Sequence, residues 1–85
     1  MNIQITNIHL NIIEADLRRL FTPFGEVTTV ELVRDKWNNR STGRAVISMP
    51  LEKQAERAIL TLHGTVLGGK PITVTPFHSS DEENL

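Results

Sequence analysis

Two stretches of this chain carry apolar residues at helical spacing on one side only, and segments of strict alternation surround them. In "LRRLFTPF", Leu17, Leu20, Phe21 and Phe24 fall at i, i+3, i+4 and i+7. In "EKQAERAILTLH", Ala55, Ala58, Ile59 and Leu62 repeat that stripe. A helix apolar along one stripe must bury it against another layer. The alternating segments supply that layer. "IQITNI" sets Ile3 and Ile5, extended toward Ile8, against Gln4 and Thr6. "RAVISM" sets Ala45, Ile47 and Met49 against Arg44, Val46 and Ser48, and "ITVTP" sets Ile72 and Val74 against Thr73 and Thr75. Each strand is apolar on one face, so the sheet is expected to be covered on one side and wet on the other.

The punctuation orders these pieces. Asn11 is placed to cap the first helix, with Glu14 three residues on as a loose capping box, and Pro23 and Gly25 end it. "VTTVELV" is rich in β-branched residues, but Val30 and Leu32 do not alternate cleanly with Val27 and Val33, which leaves its register open. "RDKWNNRSTG" reads as a long turn between paired strands, and Pro50 closes the strand after it. Gly64 caps the second helix, "TVLGGKP" is a tight turn or short hairpin, and the last strand stops before Pro76. The order is βαββαβ. That is an α+β, ferredoxin-like sandwich: a four-stranded antiparallel sheet with two helices packed on one face and the other face open.

An 85-residue chain holds one small domain, in which nearly every apolar residue is needed for the core. We assign residues 1–77 to that domain and expect residues 78–85, "HSSDEENL", to be an acidic, disordered tail. A chain filled by one domain is expected to be a whole protein. Cysteine is absent, which excludes disulfides and thiolate chemistry. No apolar run approaches the ~18 residues of a membrane span, and no secretion signal opens the chain, so the expectation is a cytoplasmic protein with no membrane partner. The formal net charge of −1 lacks a strongly basic footprint. Its distribution is uneven: setting aside Asp81, Glu82 and Glu83 leaves 9 bases against 7 acids, or +2. Arg34, Lys36, Arg40 and Arg44 gather around one loop with a single acid, Asp35.

Residues 1–76 resemble the RNA recognition motif family. "IQITNI", with Asn7 in the motif's Asn place, is similar to the family's first-strand hexamer, and "LRRLFTPFGEV" to its first-helix phrase. Thr42 to Met49 resembles its octamer, and "QAERAILTLHGTVLGGKPITV" its second helix, glycine turns and final strand. The resemblance implies single-stranded RNA stacked on aromatic side chains of the central strands. Here those stacking positions fall on Gln4, Arg44 and Val46, while Gly43, Ala45 and Ile47 keep the backbone and core pattern.

The candidate RNA-binding residues are Gln4, Thr6, Arg34, Lys36, Trp37, Arg40, Arg44, Val46, Ser48 and Thr73. The four basic residues would hold phosphates. A planar guanidinium at Arg44 can also stack on a base, and the hydroxyls and Gln4 offer donors and acceptors to base edges. Trp37 reads either as a loop ring that stacks on a nucleotide or as a lid packed on the sheet edge. Phe77 reads either as a substitute platform over the sheet or as a frayed tail aromatic. The rival function is a protein-interaction module on the same scaffold, through a helical face or through the sheet, or self-association there. A sheet face with Arg44 exposed favours RNA; Val33, Val46 and Phe77 merged in one apolar patch favours a protein partner. No catalytic site, metal or cofactor is expected. "GTVLGGKP" fits a phosphate-loop spacing, but Pro71 and a strand follow where Ser or Thr and a helix are needed. His9, His63 and His78 are too scattered for a zinc site and read as surface or turn residues.

Overall fold

The computed structural model describes residues 1–77; the acidic tail, including His78, lies outside the described residues. Strands β1 (Asn2–Thr6), β2 (Thr29–Arg34), β3 (Ser41–Ser48) and β6 (Thr73–Phe77) form one sheet in the order β2-β3-β1-β6, all neighbours antiparallel. Helices α1 (Glu14–Phe21) and α2 (Glu52–Leu62) connect β1 to β2 and β3 to β6. Both lie on one face, α1 against β2 and α2 against β6 and β1. The remaining strands, β4 (Val66–Leu67) and β5 (Lys70–Pro71), make a separate hairpin turned by Gly68 and Gly69.

Period 2 decides which face is dry. Ile3 and Ile5 of β1, and Ala45 and Ile47 of β3, are all 0% exposed. They meet Leu17 and Phe21 from α1, and Ala55, Ala58 and Leu62 from α2, in one core that also takes in Leu32, Ile72 and Val74. A fully buried aliphatic or aromatic side chain contributes about 1.5–3 kcal/mol, so this one layer of contacts dominates folding. The small Ala55 and Ala58 let α2 approach the sheet closely. Beyond Phe21 the first stripe changes geometry: Thr22–Phe24 is a 3₁₀ turn with Pro23 near its start, and Leu20 and Phe24 pack only partly against the core.

Two boundaries differ from the expectation. Asn11 does not cap α1. Residues 9–12 form a turn of their own, with Ile12 N–H donating to His9 O (3.1 Å) and Asn11 N–H to His9 Nδ1 (3.2 Å), and burial of Ile12 anchors that turn. The helix therefore starts after Ile13, whose N–H donates to Asp16 Oδ2 (3.1 Å), so Asp16 reaches back in the role assigned to Glu14. At the other end β6 does not stop before Pro76. It runs on to Phe77, pairing Ile3 with Pro76 and Asn2 with Phe77. Proline is admissible because β6 is an edge strand and needs no donor on its free side. Part of that edge is covered: Val74 N–H donates to His63 Nδ1 (3.1 Å), and Ile72 N–H to Thr65 O (2.9 Å). His9 and His63 are thus turn residues, as expected.

Gly43 is the backbone position that brings the loop after β1 onto β3. Its φ is 82°, and its carbonyl accepts the Ile8 N–H at 3.0 Å. A Cβ there would sit 3.0 Å from the Ile8 carbonyl oxygen, tighter than such contacts normally run. Gly43→Ala therefore combines a strained φ with a backbone clash, and we expect it to lower unfolding free energy by about 1–3 kcal/mol. Urea unfolding checks this; an unchanged midpoint would show that the loop does not depend on that approach.

Candidate nucleic-acid interface

The antiparallel registers turn the open face into a grid. Glu31, Val46, Gln4 and Thr75 stand opposite one another across the four strands. Thr29, Ser48, Asn2 and Phe77 form the adjacent row. On the other side Val33 faces Arg44, and Thr6 faces Thr73. Directly opposite side chains have Cβ atoms about 4.5–5.5 Å apart and diagonal ones about 7–8 Å. Gln4, Thr6, Arg44, Val46, Ser48 and Thr73 are therefore brought together on one surface.

Arg44 organises the middle of it. The side chain is exposed, its Nη2 donates to Gln4 Oε1 (3.1 Å), and its guanidinium lies 5.9 Å from the centroid of Phe77. Phe77 is not frayed: its pairing with Asn2 holds the half-buried ring at the edge of the face. Asn2, Glu31, Val33, Arg44, Val46 and Phe77 line one depression of about 470 Å³, within the size range of ligand sites. Val33, Val46 and Phe77 do share this depression, but Arg44 and Glu31 break it into apolar facets between charges.

The loop between β2 and β3 is a closed turn. Asp35 N–H donates to Arg40 O (2.7 Å) and Asn39 N–H to Asp35 O (2.8 Å), with Asn39 at φ 59°. The Asp35 carboxylate accepts the Trp37 N–H at 2.7 Å, an Asx turn that fixes the loop's first residues. Trp37 is left 86% exposed, with Lys36 Nζ 5.3 Å from its ring centroid. It is no lid on the sheet edge. An indole exposed to this degree carries unsatisfied apolar area, and Lys36 and Arg40, also exposed, stand in the same turn.

Arg34 departs from the expected set. It follows a register irregularity after Val33, and its side chain turns to the rim of the helical layer, where its Nη2 pairs with Glu14 Oε1 at 3.2 Å. A charged side chain on the inward side can only reach outward along the rim and find a counter-charge there. Arg34 is thus removed from the open face. Glu31 is the residue that sequence reasoning missed. Once Leu32 is known to be buried, alternation sends Glu31 and Val33 outward; the signal was present but masked by Val27, which is buried ahead of the strand rather than within it.

The RNA recognition motif family model matches residues 3–73. The chain belongs to that family. Its backbone superposes on the crystal structure of RNA binding protein PG1 with a TM-score of 0.86 and 32% identity, over 88% of this chain and 90% of that one. A structure of the Sxl-lethal protein/RNA complex matches with a TM-score of 0.83 and 25% identity, over 92% of this chain and 48% of that one. In sequence it is 35% identical over 74 residues to the human protein named Probable RNA-binding protein 23, across 87% of this chain and 17% of that one. The chain spans less than a fifth of the length of the curated relatives it matches.

Within this RNA recognition motif, Asn7 takes φ 61° and its Nδ2 donates to Pro71 O (2.7 Å), tying the end of β1 to the hairpin. Gln4, Arg44 and Val46, the positions the resemblance implies for stacking, all lie on the open face, and none carries a ring. The ring on the face is Phe77, one strand over. The Arg34–Glu14 pair, with side chains 35% and 45% exposed, is solvent-screened. A double-mutant cycle on Glu14→Ala and Arg34→Ala is expected to give a coupling below about 1 kcal/mol that fades with salt. A larger, salt-insensitive coupling would mean the pair is a structural clamp.

Proposed function

We propose that this RNA recognition motif binds single-stranded RNA across the open face of its sheet and the β2–β3 loop. The exposed Arg44, at the centre of that face and over the Phe77 ring, is the observation that carries the reading. Membership of the family and likeness to proteins named as RNA-binding support it. Arg44, Lys36 and Arg40 hold phosphates. A base stacks on the Arg44 guanidinium or Phe77, another on Trp37, while Gln4, Thr6, Ser48 and Thr73 meet base edges and 2′-hydroxyls.

The affinity is low. A base–aromatic stack is worth about 1–3 kcal/mol by alanine substitution, or about 5- to 150-fold in affinity. The two or three stacks missing at Gln4, Arg44 and Val46 lower binding by that factor each, offset in part by the Arg44 guanidinium, Phe77 and Trp37. Much of the remaining energy is electrostatic. Three phosphate contacts, at about −0.7 each for single strands, give a slope of about −2 for log affinity against log salt. A titration of a short mixed-sequence RNA that is flat in salt would remove this mechanism.

Arg44→Ala is expected to weaken RNA binding by about 1–3 kcal/mol, and Arg34→Ala by less than about 0.5 kcal/mol. Chemical-shift titration with the same RNA checks both, with the largest shifts at Gln4, Arg44, Val46, Trp37 and Phe77. Equal losses for the two variants would move the site off the sheet. An absence of shifts at millimolar RNA would instead favour a protein partner on the facets formed by Val33, Val46 and Phe77.

A further inference from the structure

We propose that Glu31 makes the open face selective for guanine in single-stranded RNA, an inference that rests on the RNA-binding reading above. Glu31 is exposed and opposite Val46, one of the three stacking positions, and lines the same depression as Arg44 and Phe77. Among the described residues the ion pairs are Arg19–Asp16 and Arg34–Glu14, so Glu31 is committed to neither. Arg44, on its diagonal, donates to Gln4 instead. The carboxylate thus stands on the edge strand β2, beside the apolar platform of Val46 on the neighbouring central strand, with its acceptor oxygens available.

An ionised carboxylate only accepts hydrogen bonds, and it offers two oxygens side by side. The bases differ in what their Watson–Crick edges return to such a pair. Guanine presents two parallel donors, N1–H and the N2 amine, and can engage both oxygens as an Arg fork does. Cytosine and adenine present one amine next to an acceptor nitrogen, which faces the second oxygen unfavourably. Uracil presents one N–H between two carbonyls, so both flanks oppose the carboxylate. The order for a base lying across Val46 is guanine first and uracil last. The same charge repels phosphates, which keeps the backbone on the Arg44 and loop side of the face.

The test is fluorescence anisotropy with a short oligouridine carrying one central guanine, inosine, adenine, cytosine or uracil. The guanine oligonucleotide is expected to bind at least about fivefold more tightly than the all-uracil one. Inosine, which lacks the N2 amine, should fall between them. Glu31→Gln loses the fork, because its amide carries one acceptor and one donor group. It should bring guanine and uracil within about twofold while holding or raising affinity for the all-uracil RNA. The position is exposed, and circular dichroism confirms that the variant folds. One affinity for all five oligonucleotides, or a guanine preference that survives Glu31→Gln, overturns the assignment and leaves RNA binding standing. No binding by any of the five overturns both.

Discussion

Burial of Ile3, Ile5, Ala45 and Ile47 in the two central strands is the constraint on which everything else in this domain depends. All four are fully inaccessible, and each fixes the parity of its strand. A one-residue slip of β1 or β3 would send an isoleucine into water and draw Gln4 or Arg44 into the core. Loss of the buried aliphatic alone forfeits about 1.5–3 kcal/mol, and an unpaired buried charge would add several more. The core therefore sets the outward grid without any outward residue contributing. Arg44 sits across from Val33 and on the diagonal of Glu31 because Ala45 and Leu32 are buried behind them.

This separation explains how a face can lose the rings of its family and keep its geometry. Gly43, Ala45 and Ile47 answer to the backbone and the core; Gln4, Arg44 and Val46 answer only to whatever lies on the sheet. The side chains now in the outward positions are not passive. Arg44 spans from Gln4 to the Phe77 ring, which a shorter cation could not do. Phe77 can hold its place because β6 continues through Pro76, and that continuation depends on an edge strand tolerating a missing donor. The ring is thus displaced from the central strands to the sheet's edge.

The element order and the core were legible because both stripes and three of the four strands have unambiguous periods. What the sequence hid follows a common physical pattern. Around β2, two valines obscure the register: Val27 is a core residue but belongs to the preceding loop, and Val33 is apolar but lies on the open face, which tolerates a half-exposed valine. With that register unread, the pairing of Arg34 with Glu14 could not be foreseen and Glu31 went unseen. Asn11 looked like a cap because its type is right, yet the choice was made by a tertiary contact, the burial of Ile12. The side chains of the loop could be named in advance but not their exposure, since Asp35 closes the turn through hydrogen bonds that composition does not reveal.

A carboxylate on a surface proposed to face a polyanion needs a physical justification. The repulsion is modest: between unit charges in water it is about 1 kcal/mol at 4 Å, and it decays over a Debye length of about 8 Å at physiological salt. Arg44 and the cations of the β2–β3 loop offset it. What the carboxylate changes more is the difference between bases, since one that presents carbonyls to it leaves polar groups unpaired as water is excluded. Such mismatches cost about 1–3 kcal/mol per desolvated group, as much as a good contact gains. On the proposed reading, cations in the loop would set how strongly any strand is held, and an anion on the sheet which strand is preferred. A face with charges of both signs in place of rings, on that same reading, trades affinity for discrimination, the regime in which a single base contact decides what stays bound.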